Sequence, residues 1–373
     1  MCRAWSRRRM SYIRIDVGSI AMSEENWQQL VNLDALRGWM DRENIGFGDI
    51  EQPTPLTGGT QNVLLRFVRD GRPYVLRRSP AHPRGDGNAT NRREARALGA
   101  LATTDVPHPR LIAACSSVDV IGAAFYLMEP IDGFNATVAL PALHANDASI
   151  RRRMGFALVD GALALSRVDH VKVGLGDFGK SDGFLERQVP RWRALLESYH
   201  DYKEWPGPAA IPGIDLVADW LTQNQPKSFT PGILHGDYHL SNVMFRNDSA
   251  ELAAIVDWEL CTIGDPLLDM GWIMATWPDL DGQTTSEIGI KPWTNFARIE
   301  ELMAHYAENS TRDCSHLQYY GVLGCYKLGL ILEGTYARAC AGQAAKATGD
   351  RLHRSCIKLF QRALGWLERG KVG

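Results

Sequence analysis

The spacing of apolar and polar residues divides the chain into predicted elements. From Ser23 to Arg42, the residues Trp27, Leu30, Val31, Leu33, Leu36 and Trp39 share one helical face, and Ser23 is placed to cap that helix. Apolar runs at residues 63–68 and 73–78 flank Asp70-Gly71, which predicts a β-hairpin. Residues 82–91 are rich in Pro, Gly and Asn and read as a loop, and residues 91–101 read as a helix carrying Glu94. Two shorter runs, 110–115 and 124–128, predict further strands. Beyond Gly133 the period becomes helical. Residues 150–168 place Met154, Leu158, Leu163 and Leu165 on a buried face, 184–202 form an amphipathic helix around Trp192, and 319–338 and 353–369 complete a helical C-terminal part. Strands first and helices afterwards define an α+β chain.

One stretch, residues 233–258, interrupts this helical part. Asp237 sits in His235-Gly236-Asp237, Asn242 follows five residues later, and Asp257 ends an apolar run fifteen residues after that. Val243-Met244-Phe245 predicts a short strand, Arg246-Asn247-Asp248-Ser249 a turn, and residues 252–256 a second strand. The hairpin would fold Asp257 back beside Asn242. Phosphoryl transfer needs a carboxylate to accept or orient the nucleophile's proton, and oxygen ligands for magnesium at the nucleotide phosphates. Asp237 suits the first role; Asn242 and Asp257 suit the second.

The HGDxxxxN pattern, followed by an apolar strand ending in Asp, resembles the aminoglycoside phosphotransferase and choline kinase group of small-molecule kinases, which are related in fold to protein kinases. The resemblance runs from about Leu56 to Tyr336. It implies a protein-kinase-like two-lobe fold: residues 22–132 as an N-lobe with an antiparallel sheet and one key helix, and 133–373 as a mainly helical C-lobe, with ATP and Mg²⁺ in the cleft. It also implies a phosphate loop at Leu56-Thr57-Gly58-Gly59-Thr60-Gln61-Asn62, where glycines let backbone N–H groups approach phosphates. The third strand of such kinases carries a phosphate-contacting lysine. Here Arg77 stands in its place with Arg78 beside it; arginine keeps the charge and adds a planar fork. Strand alternation would turn one of the two inward and leave the other on a solvated face.

Glu94 matches the helix glutamate that pairs with this cation. Residues 128–133 resemble the hinge, where Met128, Glu129 and Ile131 would meet adenine mostly through backbone groups; Pro130 has no N–H to give. Val75 and Met128 are the implied apolar adenine contacts. Asp177-Phe178-Gly179 spells a protein-kinase metal motif but precedes the HGD loop, so the metal role goes to Asp257. Asp265 and Asp269 are implied to buttress the active loop by hydrogen bonds. His239 has two readings, contact with substrate or phosphate and support of the loop.

LTGGTQN, YVLRR, HGDYHLSN and VDWELCTIGDPLLD together resemble the kinase-like domains fused in some eukaryotes to acyl-CoA dehydrogenases. That likeness implies a small-molecule alcohol as acceptor, with a CoA-linked hydroxyacyl group as the candidate. Two other readings are a nucleotide-binding pseudokinase or scaffold, favoured by Arg77, and an aminoglycoside-type antibiotic kinase. No dehydrogenase base or FAD site is recognisable.

Composition narrows the picture. The chain has 373 residues, 45% hydrophobic and 23% charged, with a formal net charge of -2, so it is globular and lacks the basic excess of a nucleic-acid binder. Seven cysteines, odd in number and without a CxxC pair, fit a reducing, cytoplasmic compartment. The apolar stretch 319–332 contains Lys327 and is too short to span a bilayer, so no membrane association is expected. Residues 1–21, with Arg3, Arg7, Arg8, Arg9 and Arg14, read as a disordered extension or the product of an upstream start, Met22 being the expected first residue; a targeting peptide is the alternative.

Overall fold

Alternating apolar residues and a tight turn build a five-stranded antiparallel sheet in the first part of the chain. Its strands are β1 (Glu51–Pro55), β2 (Val63–Arg69), β3 (Arg72–Arg78), β4 (Leu111–Cys115) and β5 (Phe125–Met128), in the order β1-β2-β3-β5-β4. Asp70 and Gly71 both adopt positive φ, 53° and 68°, as a two-residue hairpin turn requires. The register then runs unbroken from Val63↔Arg78 to Arg69↔Arg72. One face of the sheet presents Leu65, Phe67, Tyr74, Leu76, Phe125 and Leu127, and helix α1 (Leu33–Arg42) packs Leu36, Trp39 and Met40 into the same core. The computed structural model describes residues 27–56, 62–81, 85–279, 281–286 and 288–372.

Three boundaries differ from the sequence pattern. The expected helix from Ser23 is instead a 3-10 turn at Trp27–Gln29 followed by α1, because Asn32 Oδ1 accepts the Ala35 N–H at 2.9 Å and caps the helix there. Ser23 itself lies outside the described residues. Helix α2 (Gly87–Leu101) starts at Gly87 rather than Asn91, since Asp86 Oδ1 accepts the Ala89 N–H at 2.9 Å inside what reads as a loop. Strand β1 was hidden by Pro53 and Pro55, which a strand tolerates at a sheet edge.

The helical part contains α3 (Ala142–Asn146), α4 (Ala148–Ser166), α5 (Gln188–Glu197), α6 (Ile214–Gln223), α7 (Leu267–Thr276), α8 (Ile299–Asn309), α9 (Leu317–Cys340) and α10 (Lys346–Arg369). Helix α9 is buried along most of its length, which accounts for its apolar residues on every side. Helix α5 is shorter than the predicted amphipathic segment because it tightens into a 3-10 turn at Ser198–Asp201. Two antiparallel ribbons interrupt these helices: β6 (Gly232–Leu234) with β9 (Thr262–Gly264), and β7 (Val243–Phe245) with β8 (Leu252–Ile255). The described chain clusters into two compact units, one reaching Ala95 and including Leu111–Pro130, the other holding Arg96–Arg110 and the residues from Ile131 onward. Among the described residues no helix is long and apolar enough to cross a membrane.

Candidate active site

The loop between β6 and β7 is held from several sides, and its sequence explains how. Gly236 has φ +85°, and a Cβ there would meet the Leu260 carbonyl oxygen at 2.6 Å, so only glycine makes this turn without strain. Asp269 of α7 accepts both neighbouring amides, His235 N at 2.7 Å and Gly236 N at 2.9 Å. The expected buttress is therefore present in Asp269. Asp265 does something different: it accepts the Leu267 N–H at 3.1 Å and the Tyr320 hydroxyl. Burial pushes the Asp269 carboxyl up to about 7, against the two amides that favour its charge.

His235 is fully buried, and burial lowers its pKa. Its Nε2 lies 2.9 Å from the Val256 carbonyl and its Nδ1 3.4 Å from the Asp237 amide. Both contacts are met by a neutral ring that carries its proton on Nε2. His235 thus ties the start of the loop to the end of the second ribbon.

Asp237 follows. The Asn242 side-chain amide donates to the Asp237 carbonyl at 2.9 Å and to its Oδ2 at 3.0 Å. Asp237 Oδ1 is buried, with His239 Nε2 3.2 Å away. Burial pushes the Asp237 carboxyl up, but His239, His235 and Lys327 outweigh it and the net direction is down, so the group is held ionised. His239 is buried within the loop.

The second ribbon brings in Asp257. Val243 pairs with Ile255, and the Val256 N–H donates to the Asn242 carbonyl at 2.9 Å, which sets the residue before Asp257 beside Asn242. Asp257 then turns with φ +67°, a conformation aspartate reaches more readily than most residues. Because the Asn242 amide nitrogen is committed to Asp237, its Oδ1 is the atom left for a cation. An amide oxygen and a carboxylate are the hard donors that magnesium takes. Among the described residues no group of three His, Cys, Asp or Glu forms a cage for a metal ion.

In the first unit, Arg77 and Glu94 form a bidentate pair, Nε to Oε2 at 2.9 Å and Nη2 to Oε1 at 2.7 Å. The Tyr126 hydroxyl adds a third contact to Oε2 at 3.2 Å. Val75 and Met128 are direct cross-strand partners, as are Arg77 and Tyr126, so all four lie on the face of the sheet opposite α1. The sequence reading of Arg78 as a solvated residue is overturned. Arg78 is buried on the α1 side, where it donates to the carbonyls of Ser79 at 2.9 Å, Ile121 at 2.9 Å and Leu30. Alternation fails as a guide to exposure here because both faces of β3 are covered.

Glu129 pairs with Arg72 at 2.7 Å, Ile131 is half-buried at the start of the second unit, and Asn62 lies just before β2. Gly58, Gly59, Thr60 and Gln61 lie outside the described residues. Asp177 is an exposed loop residue paired with Arg96. Three loop anchors escaped the sequence reading. The Asn135 amide donates to the Ser241 carbonyl at 2.7 Å, the Tyr238 hydroxyl donates to the Leu158 carbonyl of α4 at 2.8 Å, and Lys327 of α9 donates to the Gly236 carbonyl at 2.9 Å. Only Lys327 left a trace in the sequence, as a charge in an apolar run.

A buried ion pair between β3 and α2, and an HGD loop joined by a ribbon to a second aspartate, are features of the kinase-like α+β class. The profile of the phosphotransferase enzyme family known as APH matches residues 53–302, so the chain belongs to that family. Its relatives include acyl-CoA dehydrogenase family member 10 of Mus musculus, 28% identical over 303 residues, which cover 79% of this chain and 27% of that protein. The chain thus spans about a quarter of that relative's length. A candidate aminoglycoside phosphotransferase from Ralstonia eutropha JMP134 is 28% identical with a TM-score of 0.72, covering 90% of this chain and 98% of the other. Choline kinase from Cryptosporidium parvum Iowa II shares the fold at 12% identity with a TM-score of 0.59, over 91% and 97% of the two chains.

Proposed function

We propose that the chain transfers the terminal phosphoryl group of ATP to the hydroxyl of a small molecule, and that this acceptor is a hydroxyacyl-CoA. The observation that carries the reading is the assembly of Asp237, Asn242 and Asp257 by one loop and one ribbon. In the proposed reaction Asp237 takes the proton of the acceptor hydroxyl through Oδ1. The acceptor oxygen forms a bond to the terminal phosphorus while the bond to the bridging oxygen breaks, and ADP leaves. Asn242 Oδ1 and the Asp257 carboxylate would hold magnesium, which neutralises charge on the phosphate oxygens when bound. In the first unit, Arg77 would meet phosphate oxygens, its guanidinium oriented by Glu94, and Val75 and Met128 would supply apolar contacts to the base.

One observation favours an acyl-CoA acceptor over a polycationic antibiotic: the mouse relative carries an acyl-CoA dehydrogenase name. The test is a coupled assay for ADP release with hydroxyacyl-CoAs, free hydroxy acids and aminoglycosides offered in parallel. Turnover with hydroxyacyl-CoAs alone supports the reading; turnover with aminoglycosides alone replaces the acceptor. In the same series, Asp257→Ala should abolish Mg²⁺-dependent ATP binding measured by calorimetry, and unchanged binding would remove Asp257 from the metal site.

A further inference from the structure

Lys327 is a buried cation for which the transfer reaction has no direct use. It sits on α9 with 6% of its surface exposed, and its Nζ donates to the Gly236 carbonyl at 2.9 Å. The ammonium also lies 4.8 Å from the ring centre of Trp272 and 5.6 Å from that of Trp192, within reach of their electron-rich faces. Removing such a charge from water is unfavourable, and a methionine would fill similar space without that cost. Burial pushes the Lys327 pKa down to about 8. The charges acting on it are Asp237 on the loop and Asp269 on α7, which favour the ammonium, and Arg191 on α5, which opposes it.

The bonded atom is informative. The Gly236 carbonyl and the Asp237 amide nitrogen belong to one planar peptide unit. Asp269 fixes the Gly236 N–H on the near side of the same residue, at 2.9 Å. A carboxylate from α7 and an ammonium from α9 therefore clamp the two peptide groups that lead into Asp237, and a planar peptide held at its oxygen has little freedom to rotate.

We infer that Lys327 is a positioning residue for phosphoryl transfer: its ammonium holds the Gly236–Asp237 peptide plane and so sets the direction in which the Asp237 carboxylate meets the acceptor hydroxyl. The inference rests on the kinase reading for its consequence in rate, while the clamp itself is a property of the loop.

The experiment compares Lys327→Met and Lys327→Arg with wild type in the full chain. Two quantities are measured from pH 6 to 9.5: ADP release from Mg-ATP with water as the acceptor, and amide hydrogen exchange of the segment 235–242 against that of α9. Lys327→Met should leave the calorimetric Mg-ATP Kd within about threefold and α9 exchange unchanged. It should speed exchange of the loop and lower kcat by up to about 10²-fold, the scale expected when a catalytic group is misplaced by about 1 Å. Wild type should lose rate above pH 8 as the ammonium deprotonates. That alkaline limb should vanish in Lys327→Met and move to higher pH in Lys327→Arg, which keeps its charge.

The inference is overturned if Lys327→Met keeps both wild-type kcat and wild-type loop exchange, or if it keeps the limb near pH 8. Failure of the kinase reading looks different. Wild type would then release no ADP with water or any acceptor, while loop exchange in Lys327→Met would still decide whether the clamp exists.

Discussion

At the scale of single residues, Asp237 shows how surroundings set a chemical role. Its neighbours His239, His235 and Lys327 hold its carboxyl below the usual value in spite of burial, with His239 Nε2 3.2 Å from Oδ1. Asp237→Asn preserves shape while removing charge and basicity. Turnover should fall by roughly 10²–10⁴, the usual contribution of a placed proton acceptor, with Mg-ATP affinity nearly unchanged. Steady-state kinetics beside calorimetry checks this, and a loss confined to the acceptor KM would assign Asp237 to binding instead. Arg77 and Arg78 make a second contrast, because adjacent residues on β3 serve opposite faces of the sheet. Arg77→Ala should weaken nucleotide binding. Arg78→Ala should spare binding but lower stability by about 1–3 kcal/mol, since it strands the carbonyls of Leu30 and Ile121. Chemical denaturation and calorimetry on both variants separate the two outcomes, and an equal loss of affinity would contradict the assignment of faces. The Arg77–Glu94 pairing was legible in the sequence through motif position. The burial of Arg78 was not, because nothing local in YVLRR reveals that both faces of the strand are covered.

At the scale of elements, the β7–β8 ribbon was legible because its turn chemistry and strand lengths are local. The clamp on the catalytic loop was not, because it joins residues 91 positions apart in sequence, Gly236 and Lys327. Within the pattern of α9, Lys327 reads only as an interruption of an apolar run. Its burial has a thermodynamic consequence with a definite sign. The usual lysine value of 10.5 falls to about 8 on folding. Below pH 8 both states are charged and the folded chain bears the full cost of burying the ammonium, roughly 3 kcal/mol on the linkage scale. Between pH 8 and 10.5 the unfolded chain stays protonated while the folded one does not, so the stability contributed at this position rises with pH. The melting temperature of Lys327→Met relative to wild type should therefore fall by several degrees from pH 7 to pH 10. A difference that stays constant across that range would mean that Lys327 titrates at its ordinary value. Helix starts were the other failure at this scale: Asn32 and Asp86 each supply a cap inside segments whose composition pointed elsewhere.

At the scale of the whole molecule, the sheet followed by helices was readable from the change of period near Gly133, and the family from the HGDxxxxN pattern with its later aspartate. The acceptor was not readable, because small-molecule kinases on this fold share their phosphate chemistry and differ in what the helical part presents to the second substrate. One feature of the sheet bears on how the molecule behaves among its own copies. Among the described residues β1 is an edge strand, and the Leu56 N–H turns inward to the Leu64 carbonyl at 2.9 Å. The pairs Thr54↔Arg66 and Pro55↔Leu65 are in regular register, so by alternation the nitrogen of Pro55 faces outward. It carries no hydrogen, so the rim that a neighbouring chain would need in order to extend the sheet lacks a donor there. Replacing Pro55 by threonine should restore that donor and give concentration-dependent association in light scattering, with nucleotide affinity unaltered; a variant that remains as dispersed as wild type would show that the rim is guarded by something else. A residue that concealed β1 from the sequence pattern thus also makes its rim a poor template for another strand.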